Sequence, residues 1–213
     1  MGKLILNSYH SSLTKKMLDI VLSVLLLLTI APLIIAILFI VLIFNGSPIF
    51  FIQKRIGKNG KVFKIFKFRT MVKNAAKYQM KYKKMNESDG PVFKINNDPR
   101  FTTIGKILSK TGLDELPQFL NVIKGEMSIV GPRPLPVDEA KKLSKKQKIR
   151  EMVKPGITSL WVIKGQHKLN FKEWMELDAF YVKNASLYLD IKIIKQTFLL
   201  MFKFLKSTFV QRY

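Results

Sequence analysis

From Ile20 to Phe44 the chain carries no charged residue. A run of that length exceeds the ~20 apolar residues that a helix needs to cross a bilayer. It is too long for the apolar core of a signal peptide and no small-residue cleavage pattern follows it, so the segment is expected to stay in the mature protein. Pro32 lies at its middle, where the missing N–H and the ring's clash with the preceding turn force a kink or a break. Two topologies follow. A kinked spanning helix is the reading the residues alone favour, because proline kinks are common in membrane helices. The other is a re-entrant hairpin that turns near Ala31-Pro32 and leaves by the face it entered. Lys3, Lys15 and Lys16 precede the run, and Lys54, Arg55, Lys58, Lys61 and Lys64 follow it. Positive charge therefore does not assign a single cytoplasmic flank. Only the hairpin puts all of these cations on one side.

The remaining length holds one catalytic domain, so one active site is sought in the 213 residues. With no cysteine and two histidines, His10 and His167, thiolate chemistry, disulfides and His- or Cys-rich zinc sites are excluded. Any metal is a hard cation held by oxygen, such as Mg²⁺. A net charge of +23, from 37 Lys and Arg against 14 Asp and Glu, attracts nucleic acid, anionic lipid or phosphorylated substrates without choosing among them.

Beyond Phe44, Asn45-Gly46-Ser47-Pro48 marks a turn and the start of a mixed, basic region. Alternating apolar residues on either side of Lys58-Asn59-Gly60-Lys61 predict a β-hairpin with Asn59-Gly60 in the turn. Residues 73–85 place lysines and aromatics at helical spacing. Leu113, Leu116, Leu120 and Ile123 predict a helix that ends near Gly125, with Thr111 as its N-cap and Pro117 early enough to be tolerated. The segment from Ile191 onward predicts a Lys-striped, Phe-rich helix suited to a membrane interface, with a core-packing helix as the competing reading. Trp161 and Trp174 read equally as core, interface or substrate contacts, and His167 as a surface side chain.

Two adjacent acid pairs occur, Asp114-Glu115 and Asp138-Glu139. The second opens a lysine-rich stretch and reads as a solvated helix start. The first lies in a predicted first helical turn, where the dipole favours an ionised carboxylate by roughly 0.3–1 kcal/mol and keeps an Asp available as a nucleophile. Lys67 and Arg69 in KFRTM, Arg100 in NDPRFT and Arg133 in VGPRP are the anion-binding candidates, since a guanidinium fork matches phosphate and prolines flank Arg133. Cations around one acid pair suggest diphosphate chemistry assisted by Mg²⁺. Phosphate-loop and dinucleotide glycine signatures are absent, which argues against a kinase or a nicotinamide enzyme.

KKMLDI at 15–20, GSPIFFIQKRIGKNGKVFKIFKFRTM at 46–71, NDPRFTTIGKIL at 97–108, LDELPQFLNVIKGEMSIVGPRPLP at 113–136 and VKPGIT at 153–158 resemble the monotopic phosphoglycosyl transferases, the bacterial sugar transferase family. The resemblance implies a re-entrant helix broken at Pro32. It also implies Asp114 as covalent nucleophile on the β-phosphorus of a UDP-sugar, releasing UMP, with Glu115 assisting as general base or metal-site support and Mg²⁺, at Asp114 and Glu115, neutralising phosphates. The phosphosugar then passes to polyprenyl (undecaprenyl) phosphate, the first step of lipid-linked glycan synthesis. The chain departs from the family pattern at Ala31, where Ser is usual, and at Ser109, where Arg is usual. In SLWVIKGQHK, which stands in place of GWAQVNGRN, Ser159 replaces Gly and Gln166 replaces Arg, and that loop is a reasonable place for sugar selection.

The expectation is thus an α+β protein in three parts: a re-entrant membrane segment over 1–44, a small, mostly helical cytoplasmic catalytic domain with a short hairpin over 45–190, and an amphipathic helix over 191–213. Its place is the inner face of the cytoplasmic membrane. Expected partners are a UDP-sugar, polyprenyl phosphate and membrane lipids, with self-association left open and no nucleic acid. The rival is a non-enzymatic, membrane-tethered polyanion binder, which explains the charge but neither LDELPQ nor GPRP.

Overall fold

A computed structural model describes residues 7–165 and 169–210, with side chains to 203. The charge-free run forms two helices, α1 (Leu13–Thr29) and α2 (Ala31–Asn45), bent by 64° at Ile30. Pro32 sits in the first turn of α2, where no intrahelical partner is required of its missing N–H. Among the described residues no single helix is long and apolar enough to cross a membrane, although the bent pair is by length and composition.

The polarity of α1 is inverted. It buries Lys15, Asp19 and Ser23, one face at four-residue spacing, while Leu13, Leu25 and Leu28 stand exposed. The buried face meets the rest of the chain. Lys15 Nζ lies 2.6 Å from Asp190 Oδ2 and 3.3 Å from Asp19 Oδ1. Asp19 accepts hydrogen bonds from Ser128 Oγ and the Ile129 N–H, each at 3.0 Å. Tyr9 and Tyr181 donate to the two Asp190 oxygens.

The predicted hairpin is present. Strands β1 (Phe50–Ile56) and β2 (Val62–Phe68) pair antiparallel, with Phe51 opposite Lys67 and Arg55 opposite Phe63. Asn59 takes the left-handed φ of +56° that the turn requires. Helix α3 (Thr103–Thr111) follows, capped by Thr102 Oγ1 at the Gly105 N–H.

Two local expectations are corrected. Residues 73–85 form short 3-10 turns, Ala75–Tyr78 and Lys83–Met85, rather than one helix. Thr111 does not cap the acid-pair helix: it ends α3, and its hydroxyl donates back to the carbonyls of Ile107 and Leu108. Gly112 at φ +74° makes the reversal, which a residue with a Cβ adopts only under strain. The acid pair then lies in a 3-10 turn, Leu113–Gln118, before the short helix α4 (Phe119–Ile123). Pro117 lacks the N–H that a continuous α-helix would direct to the Leu113 carbonyl.

Strand β3 (Ser128–Val130) runs parallel to β4 (Gly156–Thr158). The Gly131 N–H donates to the Thr158 carbonyl, and the Gly156 N–H to the Pro132 carbonyl, each at 3.0 Å. A Cβ on Gly156 would lie 2.1 Å from the Gly131 nitrogen, so the GPRP and KPGIT strings form one backbone-to-backbone unit. Two short helices, α5 (Val137–Ala140) and α6 (Leu160–Ile163), and two longer ones, α7 (Phe171–Asn184) and α8 (Leu187–Val210), complete the chain.

Helix α8 packs one face on the core and leaves apolar side chains exposed on another. Ile193 joins Phe63, Ile65, Val122, Val130 and Tyr181 in the main core, whereas Tyr188, Ile191, Phe198, Leu199 and Phe202 are exposed. A second cluster joins Ile37 and Val41 of α2 to Phe68, Leu108 and Leu116. The bent helix pair therefore packs directly on the turn that carries the acid pair.

Candidate active site

Asp114 and Glu115 are held against the end of β2 and beside the loop that follows β3. Lys67 Nζ approaches Glu115 Oε1 to 2.5 Å and Asp114 Oδ2 to 3.9 Å. Arg133 Nη2 lies 2.7 Å from Glu115 Oε1, and Nη1 donates to Oε2 at 3.4 Å. Glu115 is thus clasped by two cations. No donor from another described residue comes within hydrogen-bond range of the Asp114 carboxylate, although its side chain is only 8% exposed.

These surroundings drive the two acids apart. Burial pushes the Asp114 carboxyl up, to about 6; Lys67 opposes the rise and the neighbouring Glu115 charge adds to it. Burial pushes on Glu115 the same way, but Arg133 and Lys67 outweigh it and hold that carboxyl well below the usual range. Near neutrality Glu115 is a fixed anion that anchors cations. Asp114 is a poorly solvated carboxylate without a hydrogen-bonding partner among the described residues.

Of the residues expected here, Asp114, Glu115, Lys67 and Arg133 come together. Arg69 and Arg100 make no contact with the pair. Arg69 Nη2 donates to the carbonyls of Asn45 and Gly46, capping the C-terminus of α2, and Asn45 Nδ2 returns a bond to the Arg69 carbonyl. The helix dipole favours a cation there. Arg100 forks onto Asp98, with Nε at 2.9 Å from Oδ1 and Nη2 at 2.5 Å from Oδ2, beneath the Phe93 ring. Gln166 and His167 lie outside the described residues.

Two site residues escaped the sequence reading. Gln118 and Arg55 line the same open cleft, of about 180 Å³, as Lys67, Glu115 and Arg133. Gln118 Nε2 and Arg55 Nε are buried without a partner among the described residues, and a buried unpaired donor marks a place where an acceptor is missing. Gln118 closes the LDELPQ string, which was its signal. Arg55 stands in the family-matching string at 46–71 and in a flank of positive charge, and neither singled it out from its neighbours.

The model of the bacterial sugar transferase family matches residues 10–204. The chain belongs to the bacterial sugar transferase family. It is 46% identical over 154 residues to the galactosyl transferase CpsE of Streptococcus agalactiae, covering 72% of this chain and 34% of that protein. It is 38% identical over 189 residues to the exopolysaccharide production protein ExoY of Sinorhizobium fredii, covering 87% and 84%. With the undecaprenyl-phosphate galactose phosphotransferase of Salmonella typhimurium the identity is 38% over 195 residues, covering 88% and 40%. This bacterial sugar transferase thus spans most of ExoY and well under half of the other two.

Asp114 and Glu115 are the oxygen donors here that would hold a hard cation such as Mg²⁺. Among the described residues no three acidic or histidine side chains cluster. Magnesium is commonly held by one or two carboxylates with substrate phosphates and water rather than by a full protein cage. Asp114, free of hydrogen-bonding neighbours, with Glu115 beside it, is such a set.

Proposed function

We propose that this chain transfers a sugar-1-phosphate from a UDP-sugar to polyprenyl phosphate through a phosphosugar ester on Asp114, starting a lipid-linked glycan. The carrying observation is the division of labour in the acid pair: Glu115 holds Lys67 and Arg133 by hydrogen bonds, and Asp114 is an anion without a hydrogen-bond partner among the described residues, with Lys67 3.9 Å away. An Asp114 oxygen forms a bond to the β-phosphorus as the bond to the bridging oxygen breaks, and UMP leaves with that electron pair. A phosphate oxygen of the carrier then displaces Asp114 from the same phosphorus. Both attacking groups are already anions, so neither step requires a general base, in keeping with the depressed pKa of Glu115. Lys67 and Arg133 orient the diphosphate and balance charge that develops on its oxygens. Asp114 and Glu115 would hold Mg²⁺, which when bound supplies charge neutralisation at the phosphates.

The inverted polarity of α1, the exposed apolar surface of α2 and the 64° bend support a re-entrant hairpin in the cytoplasmic membrane. A spanning helix would separate α1 from α2, whereas both pack on the domain that carries Asp114. A nonenzymatic polyanion binder has no use for two buried carboxylates set among its cations, which would repel its ligand. The name of the Salmonella relative carries the carrier and the phosphotransfer; the sugar is left to experiment. UMP release from a panel of UDP-sugars with undecaprenyl phosphate in detergent tests the proposal. Turnover by the wild type that disappears on chelation of divalent cations and in Asp114→Asn is expected. Wild-type-like release by Asp114→Asn would overturn the covalent route.

A further inference from the structure

Arg133 is fixed by more than its salt bridge. Its guanidinium carbon lies 5.6 Å from the centre of the Trp161 ring, and Trp161 stacks on Trp174 with centroids 4.7 Å apart. Trp174 meets the Arg150 guanidinium at 5.3 Å. Arg150 Nη2 is 2.9 Å from Asp178 of α7 and donates at 2.5 Å to the Arg133 carbonyl. One continuous packing unit thus reaches both the backbone and the side chain of Arg133.

Trp161 itself is buried to 8% exposure in a cluster with Leu135, Ala140, Leu143 and Met175, so substrate does not reach its ring. The ring meets Arg133 through the π-face, an interaction that holds a cation without occupying its edge donors. Glu115 takes two of the five guanidinium N–H groups. The remainder stay available to a substrate phosphate.

We infer that Trp161 is the positioning residue for Arg133, and that through it the short helix α6, capped by Ser159, sets how the phosphate-binding cation stands beside Glu115. The inference rests on the proposed transferase reading. It assigns a role to the stretch in which this chain departs from the family pattern, where Trp stands one place later than in GWAQVNGRN.

The test separates positioning from core packing. Trp161→Leu is expected to raise KM for the UDP-sugar about three- to tenfold, the range a partly desolvated cation–π contact supports, with a smaller change in kcat. Trp161→Phe, which restores a π-face, should recover most of the loss. Met175→Ala lies in the same cluster without touching Arg133 and should leave KM unchanged. In a Trp174→Phe background Trp161 is the sole tryptophan, and adding Arg133→Ala should shift its emission in the free protein. Equal KM effects in Trp161→Leu and Met175→Ala, or emission indifferent to Arg133, would overturn the inference. If the wild type releases no UMP but the emission shift is present, the transferase reading fails and the Trp161–Arg133 coupling stands.

Discussion

Lys15 in α1 and Asp190 in α8 form a buried ion pair, 2.6 Å between Nζ and Oδ2, that closes the bent helix pair onto the catalytic domain. Lys15 also donates to the Val130 carbonyl at 3.2 Å, and Tyr181 to the same carbonyl at 2.9 Å. Val130 ends the strand that leads to Arg133. The clasp therefore reaches both the bent helix pair and the segment that leads to Arg133. Removing one partner of a buried pair strands the other charge, at a cost of about 3–5 kcal/mol. Lys15→Met should lower the melting temperature in detergent by about 10 °C, at roughly 2–4 °C per kcal/mol for a chain of this size. A change of under 2 °C, on the order of a surface substitution, would show that the pair is not closed in solution.

Two glycines, Gly105 in the first turn of α3 and Gly112 at its end, should respond differently to alanine. A Cβ at Gly105 would lie 1.8 Å from the Thr70 carbonyl oxygen, so backbone must move. At Gly112 a Cβ meets nothing within 4 Å, and only the positive φ is costly, by about 1 kcal/mol. Thermal denaturation should rank Gly105→Ala as the more damaging, and the reverse order would contradict the packing of α3 on the KFRTM segment.

Asp114→Asn should separate activity from stability. An ionised carboxylate buried without a hydrogen-bonding neighbour costs folding free energy, and the amide removes that charge. The variant should lose UMP release and melt no lower than the wild type near pH 7. A drop of several degrees would mean that Asp114 is held by contacts absent from this arrangement.

The same carboxylate sets a pH dependence. Its folded pKa is raised to about 6 from 3.8, so the folded protein binds this proton more tightly than the unfolded chain. The group thus favours folding below about pH 4, and that contribution is lost as pH rises through 6. Any stability gain of Asp114→Asn should accordingly shrink on acidification. Activity runs the other way, because the nucleophile must be ionised: turnover should fall as pH drops below about 6, with bound divalent cation moving the limb to lower pH. Initial rates and melting curves over the same pH series test both signs.

Much of this arrangement was legible in the residues. The break of the charge-free run at Pro32, the Asn59-Gly60 hairpin and the acid pair depend on local rules: the missing proline N–H, left-handed turn residues, and acidic side chains in a first turn. The tertiary structure decided which cations serve the acids. Lys67 and Arg69 are two residues apart on one stretch of chain, yet Lys67 meets Glu115 while Arg69 caps α2, because the strand ends between them and the Arg69 N–H pairs with the Ile49 carbonyl instead. Arg100 was settled by Asp98, two residues away, at a distance that sequence leaves open. Arg133 reaches Glu115 only because Gly131 and Gly156 let two backbones touch. Sequence determined the chemical groups, since composition and local conformation are properties of neighbours along the chain. Which groups met one another was decided by packing between segments separated along the chain, by 18 residues at Arg133 and Glu115, 48 at Lys67 and Glu115 and 115 at Lys15 and Val130, and no local periodicity encodes it.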